Sequence, residues 1–244
     1  MEIYSSFAQV YDEFINAPYL EWVSYIEEIW KKSNTKVNSV LDLACGTGSI
    51  SHILSNKGYD TIGIDISEEM LALAQKKDNK TLYLNQDMRE FELYGTVDSI
   101  LCLCDSLNYI EDYKDIEKTF NLVHNYLNPN GLFIFDLNTE HKYKNILANN
   151  TFSRIYKDKA YIWENNYDEE SKINEYYLVF FTKNQNNTYN RFEEIHYQKA
   201  HSIKTIEKAL KTANLNLLNI YNDRQFTPPT YDSERIFFIA QKPL

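Results

Sequence analysis

Cysteine is scarce in this chain. Three cysteines, Cys45, Cys102 and Cys104, stand in 244 residues, and they form no metal-spaced cluster. No metal site is expected from them. Their place in strand-like segments reads as reduced core thiols, which points to a cytoplasmic location. No apolar run is long enough to cross a bilayer, and the N-terminus carries no signal-peptide pattern, so no membrane role is expected. Positive charge is also short: 25 Lys and Arg stand against 35 Asp and Glu, a net charge of −10. That balance argues against an extended nucleic-acid partner, which needs a basic face. It leaves a small-molecule or protein substrate open. There is no internal repeat, low-complexity tract or long linker. What the chain does have is 43% hydrophobic residues, enough for a real core, and 244 residues, which suit one α/β domain with an addition or two small domains. Its 20 tyrosines and 13 phenylalanines hint at aromatic-lined surfaces.

The chain is organised around Val40-Leu41-Asp42-Leu43-Ala44-Cys45-Gly46-Thr47-Gly48-Ser49-Ile50. A short apolar run, a tight glycine turn and an amphipathic segment follow one another. The pattern reads as strand, loop and helix N-terminus. Gly46 and Gly48 let the backbone turn sharply and approach a ligand, because they carry no Cβ. A second apolar run, Thr61-Ile62-Gly63-Ile64-Asp65, ends in an acid. In a βαβ unit both strands finish at the same sheet edge, where an acid can accept the two hydroxyls of a ribose. A nicotinamide or flavin fingerprint needs a third glycine, and Ser51 stands there instead. Nothing basic is near the loop in sequence to favour a pyrophosphate.

The string V-L-D-L-A-C-G-T-G resembles the first motif of class I S-adenosylmethionine-dependent methyltransferases, and Asp65 matches the acid that ends their second strand. The resemblance extends over nearly the whole chain and is strongest from Val40 to Tyr109. It implies an α/β fold: a Rossmann-like, seven-stranded, mostly parallel sheet flanked by helices. It implies S-adenosyl-L-methionine as cofactor, with Ala44, Cys45, Gly46, Gly48 and Asp65 around it. Ile66 and Met70 match residues that flank the adenine; plain helix–sheet packing is the other reading of Met70. Asp87, followed by the Met88 backbone N–H, matches the third family motif, which receives the adenine amine. Tyr4 to Asp12 with Pro18 to Trp22 is similar to the helical cap of the small bacterial YqeM-type group. On that resemblance Tyr11 and Trp22 touch the cofactor, and packing alone is the alternative.

The remaining strands and helices follow from periodicity. Ser49 to Lys57 reads as a helix that Gly58 ends, and Ser67 caps the next. Leu82 to Leu84 is the third strand. Val97 to Cys104 is the fourth, apolar throughout, as a central parallel strand should be. Its tip, where the strand order reverses, faces the transferable methyl. There Leu103, Cys104 and Asp105 resemble cofactor-lining positions, and Asp105, Asn108 and Tyr109 are substrate-side candidates. Nucleic-acid amine methyltransferases carry an Asn/Asp-Pro-Pro-aromatic tetrapeptide at this tip, and Asp105-Ser106-Leu107-Asn108 departs from it. Tyr113 to Leu127 is helical, Leu132 to Asp136 is the fifth strand, and Asn138 and His141 beyond it are further substrate candidates. A helix to about Ala213 follows Ser202. Leu215 to Tyr221 and a last strand within Asp232 to Ala240 close the sheet, with Arg235 read as structural.

Residues 151–200 change texture. Ala160–Tyr167, Lys172–Lys183 and Tyr189–Lys199 alternate and are aromatic-rich, which predicts a three-stranded antiparallel meander. It resembles the lid of small-molecule methyltransferases; edge packing or a homodimer face is the alternative. The domain reading is therefore a core of 1–150 and 201–244, with a helical cap over 1–39 and a lid over 151–200. On the last lid strand Glu194 and His196 share a face. Either, like Asp105, is a candidate to take a proton from an attacking amine or hydroxyl; the bland alternative is a solvated strand face. The function expected is direct methyl transfer to a small-molecule or other non-DNA acceptor. The alternative is a non-catalytic cofactor-binding partner of the translation or ribosome-maturation machinery.

Overall fold

The structure is a computed structural model that describes residues 17–244. The first half alternates strand and helix: α1 (Tyr19–Lys32), β1 (Ser39–Leu43), α2 (Ser49–Asn56), β2 (Asp60–Asp65), α3 (Glu68–Lys77), β3 (Leu82–Asn85), β4 (Val97–Cys102), α4 (Tyr113–Tyr126) and β5 (Leu127–Asn138). Four antiparallel strands follow, β6 (Thr151–Tyr156), β7 (Lys159–Asp168), β8 (Ile173–Lys183) and β9 (Tyr189–Lys199). Then α5 (Ile203–Thr212), β10 (Asn216–Asn222) and β11 (Arg235–Gln241) return to the first sheet. That sheet has seven strands in the order β10-β11-β5-β4-β1-β2-β3. β1 pairs in parallel with β2 and β4, and β5 runs parallel to β4. β11 enters antiparallel to β5, and β10 antiparallel to β11.

The central strands are buried on both faces, which is why residues 100–102 of β4 and 132–135 of β5 are apolar without alternation. On one face Phe133 and Phe135 of β5 pack with Phe120 of α4 and Phe238 of β11, the Phe135 and Phe238 rings stacked 4.9 Å apart. On the other, Trp22, Ile26 and Trp30 of α1 lie against Leu101, Ile134 and Phe237. The polar edge of Trp30 is satisfied too, its indole N–H donating to Ser99 Oγ at 3.0 Å. Ser67 caps α3 as expected, accepting from the Met70 N–H.

Three boundaries differ from the sequence reading. The lid is a four-stranded sheet, not three: β6 forms a hairpin with β7 through Tyr156 and Lys159. β6 is exposed along nearly its whole length, so it carries no buried alternation to announce it. β5 starts at Leu127, five residues early, and four residues, Asn128–Gly131, bulge opposite Asp98 alone. β4 stops at Cys102, because Cys104 and Asp105 turn into the left-handed region with φ of 59° and 54°. The helix expected over Tyr4 to Ile15 lies outside the described residues.

Candidate active site

Because β1, β2 and β4 run parallel, their carboxyl ends meet at one sheet edge. A cavity of about 340 Å³ opens there, a size suited to a nucleoside-bearing ligand. Ala44, Cys45 and Gly46 from the first loop line it, with Asp65, Ile66 and Met70 after β2, Asp87 and Met88 after β3, and Leu103 and Cys104 after β4. Gly46 has φ of 55°, and a Cβ built on it meets nothing within 4 Å, so the loop leaves open space at the cavity. The Asp65 carboxylate is 9% exposed at the strand tip. The Gly46 N–H donates to one oxygen at 2.8 Å and the Ser67 N–H to the other at 2.9 Å. Burial raises the Asp65 pKa, and these N–H groups oppose the rise. The Ile66 N–H is a third donor to the carboxylate, which keeps lone-pair capacity for a ligand hydroxyl.

Gly48 has another role. It does not line the cavity; a Cβ on it would stand 2.5 Å from Tyr83 Oη and 2.8 Å from Ala74 Cβ. Its glycine is required by helix–sheet packing as well as by φ of 68°. Asp42, a residue not singled out as a ligand contact, also lines the cavity. Burial pushes its carboxyl up to about 6, although the Ser51 hydroxyl donates to it at 2.5 Å. Asp87 is held by Arg89 at 2.5 Å; burial acts to raise its pKa, but Arg89 outweighs that and the net direction is down. The fold also brings a base to the glycine loop, contrary to the sequence reading. Lys77 donates to Ser49 Oγ at 2.8 Å and to Thr47 Oγ1 at 3.2 Å. Tyr11 lies outside the described residues.

A second cavity, again of about 340 Å³, adjoins the first and shares Cys104 and Tyr109 with it. Its roof is the inner face of the lid. Tyr161 pairs with Phe180, Trp163 with Leu178, and Tyr176 with His196 across the strands, and all six line the cavity. Trp22 is here, not at the cofactor cavity: it packs against Phe237 and lies 5.4 Å from the Arg235 guanidinium. Glu194 and His196 do share a face, but it is the buried one, with exposures of 6% and 1%. Ile195 and Tyr197 point to the exposed face instead, at 44% and 45%. The solvated-face alternative is thus reversed. His196 Nε2 lies 3.2 Å from Glu194 Oε2, and Nδ1 lies 3.3 Å from Tyr109 Oη.

Asp105 lines this cavity with both oxygens engaged. Arg235 donates to Oδ1 at 2.6 Å and the Gln198 amide to Oδ2 at 2.7 Å. A carboxylate held by two donors is anchored rather than ready to accept a proton. Gln198 in turn accepts from Tyr143 and Tyr176. Arg235 also binds Asp136 of β5, whose fully buried carboxyl is pushed up to about 6 by desolvation, partly offset by Arg235. Asn108 is fully buried and lines neither cavity; its amide donates to Asn138 O and Lys199 O, tying lid to core. Asn138 does line the second cavity and accepts from Lys142 at 2.9 Å. His141 bonds to Asn145 and lines neither. The reading from sequence missed Lys142 and the lid aromatics; Arg235, read as structural, anchors Asp105 and Asp136. Tyr161 and Trp163, two apart, were the available signal.

A family model described as a methyltransferase domain matches residues 40–131. The YqeM protein of Bacillus subtilis (strain 168) is 40% identical over 98% of this chain and 97% of its own length. A crystal structure of an S-adenosylmethionine-dependent methyltransferase from Clostridium acetobutylicum ATCC 824 superposes with a TM-score of 0.90, at 33% identity over 99% of both chains. A dTDP-3-amino-3,4,6-trideoxy-alpha-D-glucopyranose N,N-dimethyltransferase of Streptomyces venezuelae is 28% identical over 53% of this chain and 56% of its own. Nothing among these supports the non-catalytic alternative. The chain belongs to the S-adenosylmethionine-dependent methyltransferases, within the YqeM-type group.

Proposed function

We propose that this enzyme transfers the methyl group directly to a small-molecule acceptor held under the lid, with His196 taking the acceptor's proton through Tyr109. The observation that carries the reading is the meeting of two cavities at Cys104 and Tyr109, one built for the cofactor and one roofed by aromatic side chains. S-adenosylmethionine, when bound, supplies a methyl group already activated by its sulfonium. Asp65 and the Gly46 loop hold the ribose side, and Ile66 and Met70 flank the adenine. The chain's main contribution is then orientation and water exclusion. Glu194 as acceptor fixes the proton of His196 on Nε2, leaving Nδ1 as the basic nitrogen; it accepts from the Tyr109 hydroxyl, so Tyr109 takes the acceptor's proton as it passes its own to Nδ1. Asp105 acts as an anchor for the β4 tip rather than as a base. The small-molecule class is supported by the aromatic-lined cavity under the lid and by the amino-sugar relative. The lid over 151–200 is the acceptor-binding unit, and the free cysteines accord with a reducing cytoplasm.

Calorimetric titration with S-adenosylmethionine, S-adenosylhomocysteine and NADH tests the cofactor half. Binding of the first two alone is expected; binding of NADH alone would overturn it. Release of S-adenosylhomocysteine with fractionated small metabolites tests the acceptor half, and release only with macromolecular fractions would exclude a small acceptor.

A further inference from the structure

The second cavity has a polar end that the proton-transfer chemistry does not use. Lys142 stands there, on a single wide helical turn (Lys142–Leu147) just beyond the β5 tip. Its backbone N–H donates to Thr139 Oγ1, which fixes the start of the turn. Its ammonium donates to Asn138 Oδ1, a neutral amide oxygen, at 2.9 Å. Among the described residues no carboxylate lies within 4.0 Å of it. Glu234, Asp105 and Asp136 act on it electrostatically. Glu234 is exposed and beyond ion-pair distance; Asp105 and Asp136 are both bound to Arg235, and Asp105 is pinned a second time by Gln198. These two cannot swing across without breaking a buried ion pair, a costly change. Burial, and after it the Arg235 charge, lowers the Lys142 pKa. The ammonium is thus a partly buried donor with spare N–H groups and no close counter-charge.

Besides the paired Asp105 and Arg235 and the polar His196 and Gln198, the cavity is a slot of aromatic faces: Trp22, Tyr161, Trp163, Tyr176 and Phe180. Such walls accept a flat or apolar body and offer it no charge. We propose that Lys142 is the receptor for an acidic group on the methyl acceptor, so that the substrate is a small molecule with a carboxylate or phosphate beside an apolar ring or chain. This rests on the acceptor reading of the lid cavity above. Arg235 is already committed to its two carboxylates, which makes Lys142 the specificity-determining cation. An anion seated on it supplies the missing counter-charge at a site where water is scarce and the pairing is strong.

The test uses the full chain saturated with S-adenosylhomocysteine, and in parallel without it. Benzoate, phenyl phosphate and benzyl alcohol are titrated calorimetrically as carboxylate, phosphate and neutral probes of one ring. At least one anion should bind on the order of tenfold tighter than benzyl alcohol, and Lys142→Met should abolish that preference. Lys142→Arg should keep it, and so should Lys144→Met, since Lys144 is exposed and pairs with Glu169. Which anion wins identifies the acidic group. Benzyl alcohol binding as tightly as both anions, an undiminished preference in Lys142→Met, or no anion binding at about 10 mM would each overturn the proposal. S-adenosylhomocysteine affinity in every variant reports folding. It also separates the two readings, because its loss in the wild type sinks the cofactor assignment, while the probe titrations alone decide the role of Lys142.

Discussion

The two cavities meet at Cys104 and Tyr109 but are built in opposite ways. The cofactor cavity is assembled from loops that each follow one strand, and its contacts come from Asp42 to Glu111 with few exceptions. Its central bonds are local: backbone N–H groups of Gly46 and Ser67 on Asp65, a Ser51 hydroxyl on Asp42. The cavity under the lid is assembled from segments far apart in the chain. Asp105 meets Gln198, 93 positions on, and Arg235, 130 positions on. One cavity is built by short-range backbone geometry, the other by side chains mounted on a separate sheet.

The sharpest way to split the two halves is His196→Gln. It should lower turnover by about 10²–10⁴-fold for an acceptor that is protonated at attack, leaving S-adenosylmethionine affinity intact. Rapid-quench kinetics beside calorimetry reads both; an equal loss of cofactor affinity would merge the cavities into one site. Next comes Arg235→Met, which strips the buried Asp105 and Asp136 of their shared counter-charge. Chemical denaturation should show a loss of about 3–5 kcal/mol, the usual effect of breaking a buried pair. Asp65→Ala should weaken S-adenosylmethionine binding by about 1–3 kcal/mol with His196 chemistry unaltered, because charge-assisted hydrogen bonds are left unmade. An unchanged dissociation constant in the folded variant would remove Asp65 from the site. Gly48→Ala should destabilise by a similar ~1–3 kcal/mol through the Tyr83 and Ala74 clashes, a packing effect visible in the melting temperature without ligand.

The last expected effect is a slope. Asp42 titrates near 6 in the folded chain against an ordinary 3.8. Its raised pKa means that the native state binds the proton more tightly, so its contribution to stability falls as pH rises from 3.8 to about 6. Asp136 acts in the same sense over the same window. Asp42→Asn should therefore flatten, without abolishing, the decline in stability across that range. An identical slope in variant and wild type would show that Asp42 does not titrate there.

Much of this was legible without coordinates. The alternation of apolar runs with helical stripes, and the acids at the ends of β1 and β2, place the cofactor edge, since parallel strands leave no choice of which ends meet. Gly46 and Gly48 stand out equally in the sequence, yet one faces open space and the other faces Tyr83 Oη. Spacing carries the turn, not its neighbours. The lid was legible as an alternating sheet, but β6 was not, because a strand exposed along its length has no buried face to mark it. Glu194 and His196 were paired on one face by the period of two. Which face was buried depended on where the sheet docks.

By itself the sequence determined the order of strands and helices apart from β6, the glycine loop, and the acid that ends β2, because hydrophobic period and backbone freedom act over a few residues. Tertiary structure alone decided that Arg235 closes an ion pair with Asp105 and Asp136, that Lys142 is left beside a neutral amide, and that Glu194 and His196 look inward. The first and last depend on side chains brought together across 90 residues or more, or on the docking of one sheet over another; Lys142 meets Asn138 only four residues away, but its lack of a counter-charge follows from Arg235 taking Asp105 and Asp136. No local pattern encodes them, since charge pairing and desolvation are settled only when the packed interior chooses which groups lose their water.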